Sequence, residues 1–145
     1  MDDGRPFAVK FVHRYCEDAH RLLAQIGRAP TLHHCGSIGA GIIIVAMDFL
    51  NECQDSHSRY PSGLLPARLL QDVKEAVELI HKNKIVHGDL RQPNIMIWSH
   101  KEDTTDEARR EEHAMLVDFD WCGRVVKRAT RLPYMILGIL RGIQM

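Results

Sequence analysis

Neither sign of charge dominates this chain of 145 residues, because nineteen basic and nineteen acidic side chains cancel. With no global field, nothing in the balance recommends a nucleic acid or an anionic membrane as partner, and any phosphate recognition must be local. Cysteine is sparse. Cys16, Cys35, Cys53 and Cys122 make no CxxC pair and no metal-ligand spacing, so reduced thiols in an intracellular, cytoplasmic protein are the expectation. His33-His34 beside Cys35 is the one cluster with metal-ligand chemistry, and a His pair where a loop meets a strand reads more simply as solvated. The opening Met1-Asp2-Asp3-Gly4-Arg5-Pro6 contains no apolar stretch and is no signal peptide. The apolar run Tyr134–Leu140, between Arg131 and Arg141, falls well short of the ~20 residues a membrane span needs. It reads as a strand, a buried helix or an exposed apolar liability. No internal repeat is present.

What remains is ordinary for one soluble domain with a real core: 45% hydrophobic and 26% charged residues. Phe7–Val12 is β-branched and aromatic around a single lysine, as in a strand. Ala19, Leu22, Leu23 and Ile26 recur at helical spacing over 15–26, with Gly27 at the C-cap position. A short strand over 31–36 and turn glycines Gly39 and Gly41 lead to Ile42–Met47, a buried strand by its continuous apolar character. Residues 51–66 are polar and turn-rich, a linker. Leu70, Val73, Val77 and Ile80 then share one face of a helix over about 66–82, with Asp72, Lys74, Glu75 and Glu78 largely outside that face. Short strands are expected at 95–97 and 115–117. The charged stretch 98–113 between them reads as a solvated excursion, with Glu107–Glu112 either a short helix or disordered.

The most informative residues are His87-Gly88-Asp89-Leu90-Arg91-Gln92-Pro93-Asn94 and Leu116-Val117-Asp118-Phe119-Asp120. Transfer of a γ-phosphoryl group is mostly positioning and charge neutralisation. It needs a cation on the α/β-phosphates, hard oxygen ligands for Mg2+ and a group that orients the attacking hydroxyl. Lys10, Asn94 with Asp118, and Asp89 offer these in turn. Each alone has a plainer reading: a strand lysine is commonly an edge residue, and Asp and Asn favour turns. Three turn residues reproducing the whole order and spacing by chance is a poor explanation.

On these residues the chain resembles a protein-kinase-like domain over roughly 7–123, and the HGDLR and DFD variants are similar to a group of fungal kinase-like proteins. Aminoglycoside and choline kinases share the HGD form. The resemblance implies an α+β, partial two-lobe kinase-like fold: a partial small lobe at 1–50, a partial large lobe at 51–123 and an unassigned tail at 124–145. It implies ATP and Mg2+ as cofactors. Ala8-Val9-Lys10 matches the family's AxK strand, so Lys10 would contact the α/β-phosphates, with Asp18, or less well Glu17, as its ion-pair partner. Met47-Asp48-Phe49-Leu50 matches the hinge, with Met47 behind the adenine and backbone groups near Asp48 and Leu50 bonding the base. Asp89 would be the catalytic base, Arg91 would face the γ-phosphate, and Asn94 and Asp118 would hold the metal. His87 would brace the loop, while His13, His20 and His81 read as solvated.

The pattern also departs from the family. Six residues precede Phe7, so the two glycine-loop strands are not in this chain; Asp120 replaces the glycine of DFG, as a further ligand or a structural residue; and no Ala-Pro-Glu follows Gly123. The expectation is phosphoryl transfer to a hydroxyl, protein Ser/Thr first, with little or no turnover from the isolated polypeptide. The alternatives are a catalytically dead binding or scaffold module and a small-molecule kinase relative. Missing large-lobe helices would leave the 66–82 helix short of apolar partners, and a protein partner could cover that surface.

Overall fold

The computed structural model describes residues 4–99 and 111–125. Three antiparallel strands make the first sheet, in the order β1 (Phe7–Val12), β3 (Ile42–Asp48), β2 (Leu32–Gly39). Alternation along β1 sends Phe7, Val9 and Phe11 to one face, 52–64% exposed, and Ala8, Lys10 and Val12 to the other. Lys10 stands opposite Val45 of β3, which is wholly buried. Helix α1 (Glu17–Gln25) buries Ala19, His20 and Leu23, and Gly27 at φ +70° follows its end.

The polar stretch read as a linker is partly structured. Gln54–Asp55 forms a two-residue strand, β4, and Asp55 caps the single-turn helix α2 (Ser56–Arg59) by accepting from the Ser58 N–H. Helix α3 (Ala67–Lys82) follows, then β5 (Ile85–Val86) and a 3-10 turn over Gln92–Asn94. Strands β6 (Ile95–Ser99) and β7 (Glu112–Leu116) pair antiparallel, from Ile95 opposite Leu116 to Ser99 opposite Glu112. The expected excursion is therefore shorter than 98–113, because Trp98, Ser99, Glu112 and His113 belong to a ladder. Residues 100–110 of it lie outside the described residues. Gly123–Arg124 forms β8 against β5, and the Val125 N–H donates to the Lys84 carbonyl. The apolar run at Tyr134–Leu140 and the tail beyond Val125 also lie outside the described residues. No helix among the described residues is long and apolar enough to cross a membrane.

The apolar face of α3 is not short of partners. Leu69, Val73, Ala76, Val77 and Ile80 are buried in one core with Ala19 and Leu23 of α1, Ile85, Ile95, Ile97, Ala114, Leu116 and Phe119. Asp72 corrects the sequence reading: it is 5% exposed, on the buried face. Its carboxylate accepts from the Ala114 N–H at 3.0 Å and pairs with Arg28 at 2.7 Å, and the Leu116 N–H donates to the Arg28 carbonyl. A charge buried with both partners in place ties the loop after α1 to α3 and β7. The result is a mixed α+β fold of antiparallel sheets and few helices.

Candidate active site

The loop after β5 and the residues after β7 are laced together through one residue, Val117. His87 Nε2 donates to the Val117 carbonyl at 3.1 Å, and the Val117 N–H donates to the Asn94 carbonyl at 3.0 Å. These two bonds set Asp118 beside the loop that carries Asp89 and Asn94. Burial holds the His87 pKa below the ordinary histidine value, so the ring is neutral and braces the loop. Gly88, at φ +81°, is required: a β-carbon there would lie 2.3 Å from the Trp121 carbonyl oxygen.

Asn94 closes the 3-10 turn and is 7% exposed. Its Nδ2 donates to the Asp89 backbone carbonyl at 2.8 Å and to Asp89 Oδ2 at 2.9 Å. Arg91 reaches the same carboxylate at 3.1 Å from an exposed position. From behind, Ser56 of α2 donates to the Gln92 carbonyl at 2.9 Å. Asp89 is thus fixed in orientation, and the Asn94 amide oxygen is the end left to offer a cation.

Asp118 has left-handed backbone (φ +66°, ψ +72°), a conformation disfavoured for a residue with a β-carbon. A 3-10 turn over Phe119–Trp121 follows. Through it Phe119 enters the core at 0% exposure, while Asp118 and Asp120 meet Lys10. Lys10 Nζ lies 2.9 Å from Asp118 Oδ1 and 2.6 Å from Asp120 Oδ1. Burial pulls the lysine down, but the hydrogen bonds and charges of Asp120 and Asp118 outweigh it and leave its pKa above the ordinary value.

Phe119 is stacked on His20 of α1 with ring centres 4.7 Å apart, and its other neighbours include His87 at 5.4 Å. His20, expected to be solvated, is wholly buried. Its Nε2 donates to the Pro30 carbonyl at 2.7 Å, which leaves Nδ1 to accept from the Tyr15 hydroxyl at 2.6 Å. Burial holds the ring below the ordinary histidine pKa and, joined by the charges of the neighbouring Asp120 and Asp118, pushes the tyrosine up. The signal was in the sequence: His20 precedes Leu23 by three and shares its face.

The structure therefore brings Lys10 to Asp118, and Asp89, Arg91 and Asn94 to one another. Asp18 is not brought to Lys10. Its carboxylate pairs with Arg124 at 2.6 Å on the surface, and Glu17 pairs with Arg21 at 2.7 Å. Asp120, which lies beside Lys10 instead, was visible only as a departure from DFG. At the hinge, Met47 and Asp48 end β3 and Leu50 follows. The Asp48 N–H is committed to the Thr31 carbonyl at 2.9 Å and its carboxylate to His33 at 2.5 Å, so this N–H is not among the groups open to a base. Asp48 and Leu50 also line a cavity of about 430 Å3 with Arg5, Pro6, Cys53 and Trp98. Lys10, Asp89, Asn94 and Asp118 are not in its wall.

Solved structures share the fold that carries these residues. The kinase PK-1 of the Cydia pomonella granulovirus superposes with a TM-score of 0.60 at 20% identity, over 85% of this chain and 45% of the viral one. Monomeric WbdD superposes with a TM-score of 0.54 at 16% identity, over 93% of this chain and 34% of its own. The chain thus spans less than half the length of either solved structure, and at these identities the likeness is one of fold. Among curated proteins none matches. Residues 40–132, more than half of the chain, match the model of a kinase family. On that match the chain is a protein-kinase-like domain and belongs to the lipopolysaccharide kinase (Kdo/WaaP) family, whose chemistry is phosphoryl transfer.

Proposed function

We propose that the chain carries the nucleotide and metal residues of an ATP-dependent phosphotransferase acting on a hydroxyl. A single observation carries this reading: Lys10, from the first sheet, meets Asp118 at 2.9 Å, and Asp118 follows the residue bonded to both His87 and Asn94. Residues 1–50 then serve as the partial small lobe and 51–123 as the partial large lobe. Arg124 and Val125, assigned to the tail, extend the second part through the pairing of Arg124 with Ile85 and the bond of Val125 to Lys84, and Arg124 also reaches Asp18 of the first part.

In this reading the Lys10 ammonium neutralises the α/β-phosphates. Met47 and the backbone near Leu50 face the base. The donors Asp118 and Asn94 are hard oxygens, which fit Mg2+, an ion that keeps waters and phosphate oxygens as its other ligands. Bound there, Mg2+ would neutralise charge on the β/γ-phosphates. Asp89, clamped by Asn94, accepts the hydrogen bond of the attacking hydroxyl and takes its proton. Arg91, exposed and hinged on Asp89, is placed to meet the transferring group. The acceptor is an aliphatic hydroxyl, the chemistry common to a protein Ser/Thr side chain and the saccharide of the family's name.

The test is binding before turnover, because a ligand that binds only the folded state raises its melting temperature. Mg·ATP is expected to stabilise the wild-type chain, with Lys10→Met removing most of the shift. An unchanged melting temperature at millimolar nucleotide would refute the assignment. Phosphotransfer that disappears in Asp89→Asn would add turnover to the reading and overturn the expectation of an inactive isolated chain.

A further inference from the structure

We infer that Asp120 is the positioning residue that holds Lys10 for the nucleotide, in place of an acidic side chain on α1. The inference rests on the ATP reading above and assigns a part to a residue which that reading leaves unused. The two acids of the first turn of α1 are engaged elsewhere, Asp18 with Arg124 and Glu17 with Arg21. Lys10 finds Asp120 at 2.6 Å, closer than Asp118 at 2.9 Å. The side chains of Lys10 and Asp120 are 29% and 26% exposed, so the pair is only partly screened by water.

Two carboxylates on one lysine resolve a conflict that one would create. On the ATP reading Asp118 must offer its oxygens to a metal ion. A lysine anchored by Asp118 alone would then lose its partner as the site fills. Asp120 keeps Lys10 oriented in both conditions, and the backbone turn makes this possible. Phe119 is locked into the core, its carbonyl accepting from the Cys16 N–H at 3.2 Å, so its two neighbours in sequence are both delivered to Lys10. The Tyr15 ring, 5.5 Å from Nζ, adds a cation–π contact on the same ammonium.

The experiment is a double-mutant cycle on ADP affinity, measured by calorimetry with and without Mg2+ on the whole chain. Asp120→Asn is expected to weaken ADP binding about tenfold when Lys10 is present and less than about twofold in the Lys10→Met background, a coupling typical of touching charges. Asp120→Glu should restore most of the loss, and Asp18→Asn should leave affinity unchanged. Melting temperatures without nucleotide separate loss of the fold from loss of the pair. The inference is overturned if Asp120→Asn binds ADP like wild type, or is equally impaired in both backgrounds. It is also overturned if Asp18→Asn weakens ADP as much as Asp120→Asn. A wild-type chain that binds no ADP would instead remove the nucleotide reading itself.

Discussion

Replacing Gly88 by alanine tests how the loop after β5 is fitted to the turn after Asp118. Gly88 has φ +81°, and an added β-carbon would sit 2.3 Å from the Trp121 carbonyl oxygen and 3.0 Å from its carbonyl carbon. Two costs add. A β-carbon in left-handed backbone costs roughly 1–2 kcal/mol. Forcing a backbone carbonyl away is an overpacking strain of typically about 1–3 kcal/mol. Together these give about 2–5 kcal/mol, a large part of the ~5–15 kcal/mol that holds an ordinary domain folded. Gly27 supplies the control, because at φ +70° its added β-carbon meets nothing within 4 Å, so only the conformational cost remains. Urea unfolding followed by tryptophan fluorescence would compare the two variants. Gly88→Ala should exceed Gly27→Ala by about 1–3 kcal/mol, the strain of the contact alone. Because the displaced carbonyl belongs to the Phe119–Trp121 turn, nucleotide affinity should fall in Gly88→Ala and not in Gly27→Ala. Equal destabilisation by the two substitutions would refute the argument from close approach.

Asp72→Ala should destabilise by about 1–3 kcal/mol in chemical denaturation, because it leaves the buried Ala114 N–H without its acceptor while Arg28 keeps Glu75 at 2.9 Å; an unchanged stability would contradict this. Acid should also weaken the fold. His20 and His87 are held below the ordinary histidine range by burial, so between their folded values and about 6.5 the unfolded chain binds more protons than the folded one. Their contribution is complete above that pH and is lost on acidification, at up to about 1.4 kcal/mol per pH unit for each ring. The urea midpoint should fall between pH 7.5 and pH 5, and His20→Gln should shallow the slope. A midpoint that rises on acidification would reverse the sign.

The sequence was most legible where local period and motif spacing coincide. The apolar face of α3 follows from periodicity and β3 from its continuous apolar run, and the order Lys10, Asp89, Asn94, Asp118 marks a kinase-like arrangement without any contact being known. The misreadings concern residues whose partners lie outside their own helix. Asp72 looks solvated in its own helix because Arg28 lies 44 positions before it and Ala114 lies 42 after it. His20 looks like a surface histidine until Pro30, Tyr15 and Phe119 close around it. Asp18 suits Lys10 by family habit, but Arg124 takes it, and Arg124 is held in place by pairing of β8 with β5. Asp120 shows in the sequence as an irregular third letter of a motif; only the turn around Phe119 shows which way it faces. Among the described residues the exposed large apolar side chains include Phe7, Val9 and Phe11 of β1 and Ile38, Phe49 and Trp121 elsewhere, and none lies on α3, because the β6–β7 pair and α1 cover the helix.

The central claim is that Asp118 belongs to a nucleotide and metal site rather than to a salt-bridged turn. Nucleotide-dependent melting of wild type and Asp118→Asn, each with Mg·ATP and with ATP in EDTA, tests it most directly. The account predicts a rise in melting temperature for wild type that is larger with Mg2+ than without. It predicts that Asp118→Asn loses the metal-dependent part while still folding, since Asp120 remains with Lys10. No nucleotide shift in wild type, or a Mg2+-dependent shift undiminished in Asp118→Asn, would contradict it.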